Sequence, residues 1–163
     1  MPSHTKVLNE WYHRASVTQR AHYLSADHFS KRKYWLGVPA VILATIVGTS
    51  VFAALSLKPD PWIQILIGLA SVAAAVLTSL QTLLGYAERA EKHRLAGAKY
   101  GALGRELEEM LSSETAVSTI QATSVRERLD ALALESPDNP QSIYYKAGAG
   151  ELQAPGVQSV GRS

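Results

Sequence analysis

Histidine and carboxylate side chains are the residues of this chain that could bind a metal or transfer a proton. The histidines are His4, His13, His22, His28 and His93. No two of them stand four residues apart, and the one Glu-x-x-His pair is Glu10 with His13. A metal site in a helical bundle needs further carboxylates or a second such pair on a facing helix. None is evident, so we interpret the histidines as packed or solvated side chains.

Acid–base and nucleophilic chemistry find little support in the sequence. Glu88, Glu91 and His93 lie close together, but alternating charges of this kind more often form a solvated ion-pair face. The chain contains no cysteine, which excludes thiolate nucleophiles and thiolate metal sites. It also lacks a Gly-rich phosphate loop and a nucleophile elbow. We therefore predict no catalytic site, no metal site, no cofactor and no enzymatic activity.

Two long segments, residues 34–57 and 62–86, contain no Asp, Glu, Lys, Arg or His. At ~1.5 Å per residue a helix over either one reaches roughly 36 Å, and a bilayer core is about 30 Å thick. A buried hairpin in a soluble bundle would need apolar covering helices, and the flanking segments are too polar for that. We predict an all-α membrane protein with two transmembrane helices at 34–57 and 62–86, joined by an extracytoplasmic turn at 58–61.

The charges that flank the two spans predict their orientation. Lys31-Arg32-Lys33 precedes the first span, and Arg89, Lys92 and Arg94 follow the second. Because cationic residues concentrate on the cytoplasmic side, both termini are expected in the cytoplasm. The spans hold no ionisable group, which argues against a pump or an ion-coupled carrier. The formal net charge of +2 averages two unlike parts and gives no reason to expect nucleic-acid binding.

Small and polar residues form a stripe along each predicted span. In the first span, Ala40, Ala44 and Gly48 recur every four residues, which is typical of close helix packing in lipid. In the second, spacings of four and three relate Gln64, Gly68, Ser71, Ala75, Thr78, Thr82 and Gly85, with Gln81 at the edge. This stripe is either a helix–helix seam inside one hairpin, which we favour, or the lining of a pore in an oligomer.

Cytoplasmic helices are expected on both sides of the hairpin. Residues 1–33 form an amphipathic helix whose less polar face consists of Leu8, Trp11, Ala15, Thr18, His22, Ala26 and Phe29. The opposite face carries Asn9, His13, Arg20 and Asp27. We prefer packing of this helix against the later cytoplasmic helices over binding to the membrane surface. Gly37-Val38-Pro39 predicts a kink or a new helix start.

Beyond the second span we expect cytoplasmic helices over 87–146. The span continues as one long helix through a charged juxtamembrane motif of Glu88, Arg89, Glu91, Lys92, His93 and Arg94. Gly97 and Gly101 allow a close crossing, and the helix ends near Ser112-Ser113. A capping box at Ser124 and Glu127 opens the next helix, alone or preceded by helical 115–123. Residues 143–145 dock as a last turn, and 147–163 form a disordered tail.

The chain resembles the SLATT domains, two-transmembrane effector modules associated with SMODS nucleotidyltransferases and SLOG nucleotide-sensing proteins in bacterial conflict systems. The resemblance covers residues 11–145. It rests on the order and spacing of these pieces: Leu36-Gly37-Val38-Pro39, residues 44–49 with Phe52, Leu80-Gln81-Thr82, residues 86–94, Tyr100 and Leu103.

The resemblance implies an effector that assembles into a homo-oligomeric pore in the bacterial inner membrane and kills or arrests the cell on activation, as in anti-phage defence. Its partners would be the lipid bilayer, further copies of itself, and a separate protein that makes or senses a nucleotide signal. The alternative from a different class is a non-conducting membrane anchor that recruits a soluble partner. Neither interpretation involves nucleic acid.

Overall fold

A computed structural model of the chain describes residues 4–56, 60–113 and 117–148. These residues form five α-helices and no strand. The helices are α1 (His4–Ser56), α2 (Pro61–Leu84), α3 (Tyr86–Ser112), α4 (Thr119–Glu135) and α5 (Gln141–Lys146). The all-α prediction is confirmed. Half of the turn at 58–61, residues 58 and 59, and nearly all of the tail at 147–163 lie outside the described residues.

The first helix does not restart at the proline. α1 is helical throughout and holds Pro39 in its interior, so the predicted new helix start is wrong. Proline removes one N–H donor and crowds the carbonyl four residues earlier, which here belongs to Trp35. Inside an apolar span no water is present to hydrogen-bond to unpaired backbone groups. Continuing the helix past Pro39 keeps the other backbone N–H and C=O groups of α1 hydrogen-bonded within the helix.

The second predicted span does not continue into a single long helix. α2 ends at Leu84, and Gly85 follows with φ 56° and ψ 31°, in the left-handed region. α3 begins at the next residue, and the Arg89 N–H donates to the Gly85 carbonyl at 3.0 Å. Glycine adopts this conformation without the steric cost that a Cβ would impose. The prediction of an unbroken helix was wrong because it treated Gly85 as one more small residue of the stripe.

The chain divides into two compact units. One, which we call the hairpin unit, is His28–Arg89, and the other, the flanking unit, consists of Met1–Asp27 and Ala90–Ser163. The core of the flanking unit brings together side chains of α1, α3 and α4: Leu8, Ala15, Tyr100, Leu103, Leu107 and Val125. The predicted packing of the first helix against the later helices is therefore confirmed.

A second small cluster holds the short α5 in place. Val17 and Ala21 of α1 pack against Ala147, with Leu24 and Tyr144 around them. The predicted docking of the last turn is confirmed, and it occurs against α1. The α1 side of this contact lies beside the face predicted from the spacing, and Tyr144 is the residue of 143–145 that joins the cluster.

Two glycines permit the close crossing of α1 and α3, as the sequence predicts. A Cβ at Gly97 would lie 3.3 Å from ring atoms of Tyr23, and one at Gly101 would lie 2.6 Å from the Gln19 amide nitrogen. Each glycine costs up to ~1 kcal/mol of helix propensity relative to alanine. Side chains from α1 occupy the space that the missing Cβ atoms leave.

The N-terminus of α4 lies six residues before the predicted capping box. Ser118 is the N-cap, and its side chain accepts from the Gln121 N–H while the Gln121 side chain accepts from the Ser118 N–H. Ser124 is an exposed residue inside the helix. The assignment of Ser124 and Glu127 was wrong because a second Ser-x-x-Gln pattern stands upstream and satisfies the free N–H groups of the helix.

The hairpin unit leaves its apolar side chains largely uncovered. Within the described residues, two helices are long and apolar enough to cross a membrane, and only 6% of the most apolar stretch of each is buried. Burial this low is the opposite of a core helix in a soluble bundle. The membrane boundaries at 34–57 and 62–86 remain predictions. Helix α1 covers residues 34–56 of the first, and α2 covers residues 62–84 of the second, whose last residue is the first of α3.

The position of the capping box leads to a stability prediction. Replacing Ser118 with Ala should lower the free energy of unfolding by about 1 kcal/mol, because the Gln121 N–H at the start of α4 loses its partner. Ser124→Ala is the matched control and should be neutral or slightly stabilising, since alanine is the better helix former at an exposed interior position. Thermal unfolding of the full chain in detergent micelles measures both. A loss at Ser124 that equals or exceeds the loss at Ser118 would contradict the assigned N-cap.

Candidate functional site

The predicted stripe of the second span lies mostly on the exposed surface of α2. Exposed members are Gln64, Gly68, Ala75, Thr78 and Thr82, and half-buried members are Ser71, Gln81 and Gly85. The least exposed side of α2 consists of Ile67, Ala70, Ser71, Ala74, Leu77, Gln81 and Leu84. Contact within one hairpin therefore accounts for Ser71 and Gln81 and leaves most of the stripe uncovered.

Close packing within the hairpin unit occurs at a glycine outside the predicted packing set. A Cβ on Gly37 would lie 3.2 Å from the Gln81 amide nitrogen, so the Gln81 side chain lies over Gly37. Of the predicted packing residues, Ala40 is buried, Gly48 is half-buried and Ala44 is exposed. A Cβ on Gly48 or Gly68 would meet open space. The chain itself therefore does not use the close approach that these two glycines permit.

The hydroxyl groups of the spans donate to their own helices. Ser71 donates to the Ile67 carbonyl at 2.9 Å, and Thr78 donates to the Ala74 carbonyl at 2.9 Å. Thr82 does the same to the Thr78 carbonyl at 3.1 Å. Each proton is thus satisfied without water or a second helix, while the oxygen lone pairs remain able to accept. The hydroxyls therefore tolerate a lipid, protein or water environment.

Aromatic and cationic side chains meet at the end of the hairpin unit that carries both polar flanks. The Phe29 and Tyr86 rings stack with centroids 6.1 Å apart, and the Arg32 guanidinium carbon lies 5.9 Å from the Tyr86 centroid. Trp35, which follows Arg32 by three residues on α1, is 83% exposed. Exposed aromatic rings next to cations are typical of a membrane–water boundary.

The juxtamembrane motif divides into exposed charges and one buried ring. Its charged members are all exposed, and Arg94 pairs with Glu91 at 3.4 Å. An exposed pair of this kind contributes little to stability. His93 is different, since only 2% of its surface is exposed. The motif is therefore not one functional surface, because His93 belongs to the interior of the flanking unit.

The interior of the flanking unit holds a pair of histidines. His22 of α1 and His93 of α3 approach with 3.0 Å between their Nδ1 atoms, and both rings are almost fully buried. Asn139, just before α5, places its Nδ2 3.4 Å from His22 Nε2. Its Oδ1 accepts a 2.9 Å hydrogen bond from the Ser25 hydroxyl.

These contacts assign the direction of each hydrogen bond. Because the Asn139 oxygen accepts from Ser25, its NH₂ group donates to His22 Nε2. Neutral His22 then carries its proton on Nδ1 and donates to His93 Nδ1. His93 accordingly carries its own proton on Nε2. The pair is a chain of donors and acceptors with one consistent tautomer for each ring.

Burial keeps both rings in the neutral form. The pKa of His22 is lowered from 6.5 to about 4, first by desolvation and then by the neighbouring His93. Desolvation also lowers the pKa of His93. The Tyr100 ring stacks on His22 with centroids 5.5 Å apart, and burial raises the pKa of its hydroxyl. Within the described residues, no third His, Cys, Asp or Glu joins the pair to form a metal site.

A cleft of about 310 Å³ opens beside His22. His22 and Tyr100 line it together with Thr18, Ala133, Ser136, Pro137, Asp138, Asn139, Gln141 and Tyr144. The sequence predicts His22 on the packing face of the first helix, but its local spacing does not pair His22 with His93. The missing signal was the spacing of Ala90, His93, Ala96 and Gly97, which marks a buried face that the surrounding charges conceal.

Comparison with known families identifies the chain. The model of the SMODS and SLOG-associating 2TM effector domain family 4 matches residues 5–150. The chain belongs to this SLATT family. No curated protein and no solved structure matches it.

Family membership confirms the resemblance seen in the sequence. With two helices long and apolar enough to cross a bilayer, the SLATT domain is a membrane protein. Its family is one of two-transmembrane effectors and is not a known enzyme family. The match includes α1 to α5, so the buried histidine pair lies inside the SLATT domain.

The hydrogen-bond chain leads to a stability prediction for the SLATT domain. Asn139→Ala should lower the free energy of unfolding by about 1–3 kcal/mol, because it leaves the fully buried Ser25 hydroxyl and the His22 Nε2 without their partner. Asp138→Ala is the matched control, since Asp138 is the exposed neighbour. Chemical denaturation in micelles measures both variants. Equal and small effects would show that Asn139 does not join this chain of hydrogen bonds.

Proposed function

We propose that this SLATT domain is the membrane effector of a bacterial conflict system and that several copies together form a regulated pore. Family membership supports the effector role. A pore requires more than one chain, because two helices enclose no lumen. Opening would breach the inner membrane and kill or arrest the cell.

The observation that carries the proposal is the uncovered stripe on α2. Gln64, Thr78 and Thr82 are exposed in the single chain, and a Cβ on Gly68 would meet open space. Small and polar residues cost little where helices of different chains approach closely, and their carbonyls and hydroxyls can face water. The stripe therefore fits the contact between copies and, on its Thr78 side, the lining of a lumen.

The second span is the better candidate for the pore lining. Its small and polar residues persist in one register from Gln64 to Thr82, whereas those of the first span are confined to Thr45, Thr49, Ser50 and Ser56. A lumen needs such continuity across the bilayer. We infer that α2 lines the pore and that α1 surrounds it.

A second candidate function is a non-conducting anchor. The hydroxyls of the stripe are satisfied within their own helices, so they do not require water. In the flanking unit, Leu134 is 90% exposed and Ile120 is 83% exposed on α4, as a surface for a soluble partner would be. Release of dye from liposomes that contain the full chain, together with the products of neighbouring genes, discriminates the two functions. No release under any of these conditions would favour the anchor.

The pore proposal predicts the effect of enlarging the stripe. Thr78→Leu and Thr82→Leu should each reduce dye release more than Ala73→Leu or Val76→Leu at equal membrane abundance, because leucine narrows and dries a lumen. If the stripe is instead a close helix contact, the threonine variants should lower abundance or assembly by overpacking. Leakage and protein level are measured together. Unchanged leakage and unchanged assembly in both threonine variants would contradict both roles.

We further propose that both termini lie in the cytoplasm and that a separate protein supplies or senses the activating nucleotide signal. The cations at 31–33 and at Arg89, Lys92 and Arg94 support this orientation, because they flank the spans on the same side. A reporter fused after Ser163 should therefore show cytoplasmic activity. Periplasmic activity of the same fusion would overturn the orientation.

A further inference from the structure

We propose that the His22–His93 pair is a proton-operated latch, which holds α1 against α3 while both rings are neutral and releases them when the pair takes up a proton. The latch joins three parts of the flanking unit. His22 and Ser25 come from α1, His93 comes from α3, and Asn139 comes from the segment before α5. It is independent of the proposed pore.

Both nitrogens that can accept a proton already face a donor. These are His22 Nε2, which faces the Asn139 NH₂ group, and His93 Nδ1, which faces the His22 Nδ1–H. A proton on His93 therefore puts two N–H groups 3.0 Å apart, where neither can accept. A proton on His22 Nε2 likewise puts an N–H group opposite the Asn139 NH₂ group, and neither can accept. The contact could re-pair only if the Asn139 amide rotated, which would break its present hydrogen bond with Ser25.

The surroundings offer a buried cation little compensation. From α3, Tyr100 stacks on His22 as a neutral phenol, and from α5, Tyr144 lines the same cleft. The one carboxylate among the described cleft residues is Asp138, which is exposed. On α3 the neighbours of His93 in sequence, Lys92 and Arg94, are exposed cations and offer the ring no negative charge. Turning the amide would re-pair hydrogen bonds but would leave the charge buried.

The sign of the pH dependence follows from these contacts. In the open form both imidazoles regain an ordinary pKa near 6.5, whereas the closed form holds the pKa of His22 at about 4. The open form therefore binds more protons between these values, so acidification favours opening. The latch is fully closed above pH 6.5 and weakens progressively as the pH falls toward 4. Release frees α1, the helix that also carries the first apolar span.

Linkage also sets the size of the effect. If the open form takes up protons at both histidines, the opening constant should rise by roughly two to three orders of magnitude between pH 7.5 and pH 5, and by about 30-fold if only one titrates. The residues 96–107 of α3 include Gly97, Gly101 and Gly104, which weaken an isolated helix. Their amide protons should exchange readily once α1 has moved away.

Hydrogen–deuterium exchange of the full chain in lipid nanodiscs tests the latch. After correction for the intrinsic pH dependence of exchange, the protection of 96–107 should fall at least 30-fold between pH 7.5 and pH 5. The double variant His22→Gln with His93→Gln cannot take up these protons and should show less than a threefold change. His13→Gln, which removes an exposed histidine of the same unit, is the matched control and should behave like the parent chain.

Titration of ¹⁵N-labelled histidines in the parent chain provides a second test if the double variant does not fold. Two rings should stay neutral from pH 7.5 to pH 6, one protonated at Nδ1 and the other at Nε2. Ordinary titration of all rings in the folded chain would overturn the proposal. So would unchanged protection of 96–107 at pH 5, or a pH response that persists in the double variant.

Discussion

The apolar side chains of the hairpin unit are not buried by the chain itself, so something outside the chain must cover them. Only 6% of the most apolar stretch of either helix is buried, although apolar surface exposed to water costs about 25 cal/mol per Å². Lipid removes this cost and requires backbone groups to be paired within the helix, which α1 achieves except at Pro39, where proline has no N–H to donate. The uninterrupted α1, the hydroxyls that donate to their own helices and the absence of ionisable residues from the described parts of both spans all satisfy this one constraint.

The flanking unit follows the opposite rule, because its interior contains polar groups. His22, Ser25 and His93 are almost fully buried there and are stabilised by contacts that give each polar atom a defined role as donor or acceptor. Such a group of side chains contributes less to stability than apolar packing would, since each ring must remain neutral. These polar side chains make the stability of the flanking unit depend on pH, which an apolar core of Leu103 and Leu107 alone would not do.

The parts of the structure that depend on periodicity could be predicted from the sequence. The charge-free lengths predicted the two spans, and the spacing from Leu8 to Ala26 predicted the buried face of α1. Features that depend on the conformation or hydrogen bonds of one residue could not be predicted from periodicity. Gly85 breaks the helix through a backbone conformation that its small size permits but does not require, and Ser118 competes with Ser124 for the same capping role. The contact of His22 with His93 joins residues that are 71 positions apart, so no local pattern contains it.

We propose that conduction belongs to an assembly of chains and not to one hairpin. Fluorescently labelled chains in a planar bilayer allow the copies in each spot to be counted by stepwise photobleaching while the current through the same patch is recorded. Current is expected only at spots that hold several copies, because two helices leave no lumen. Current through a single hairpin would contradict it, and so would a complete absence of current in assemblies of every size.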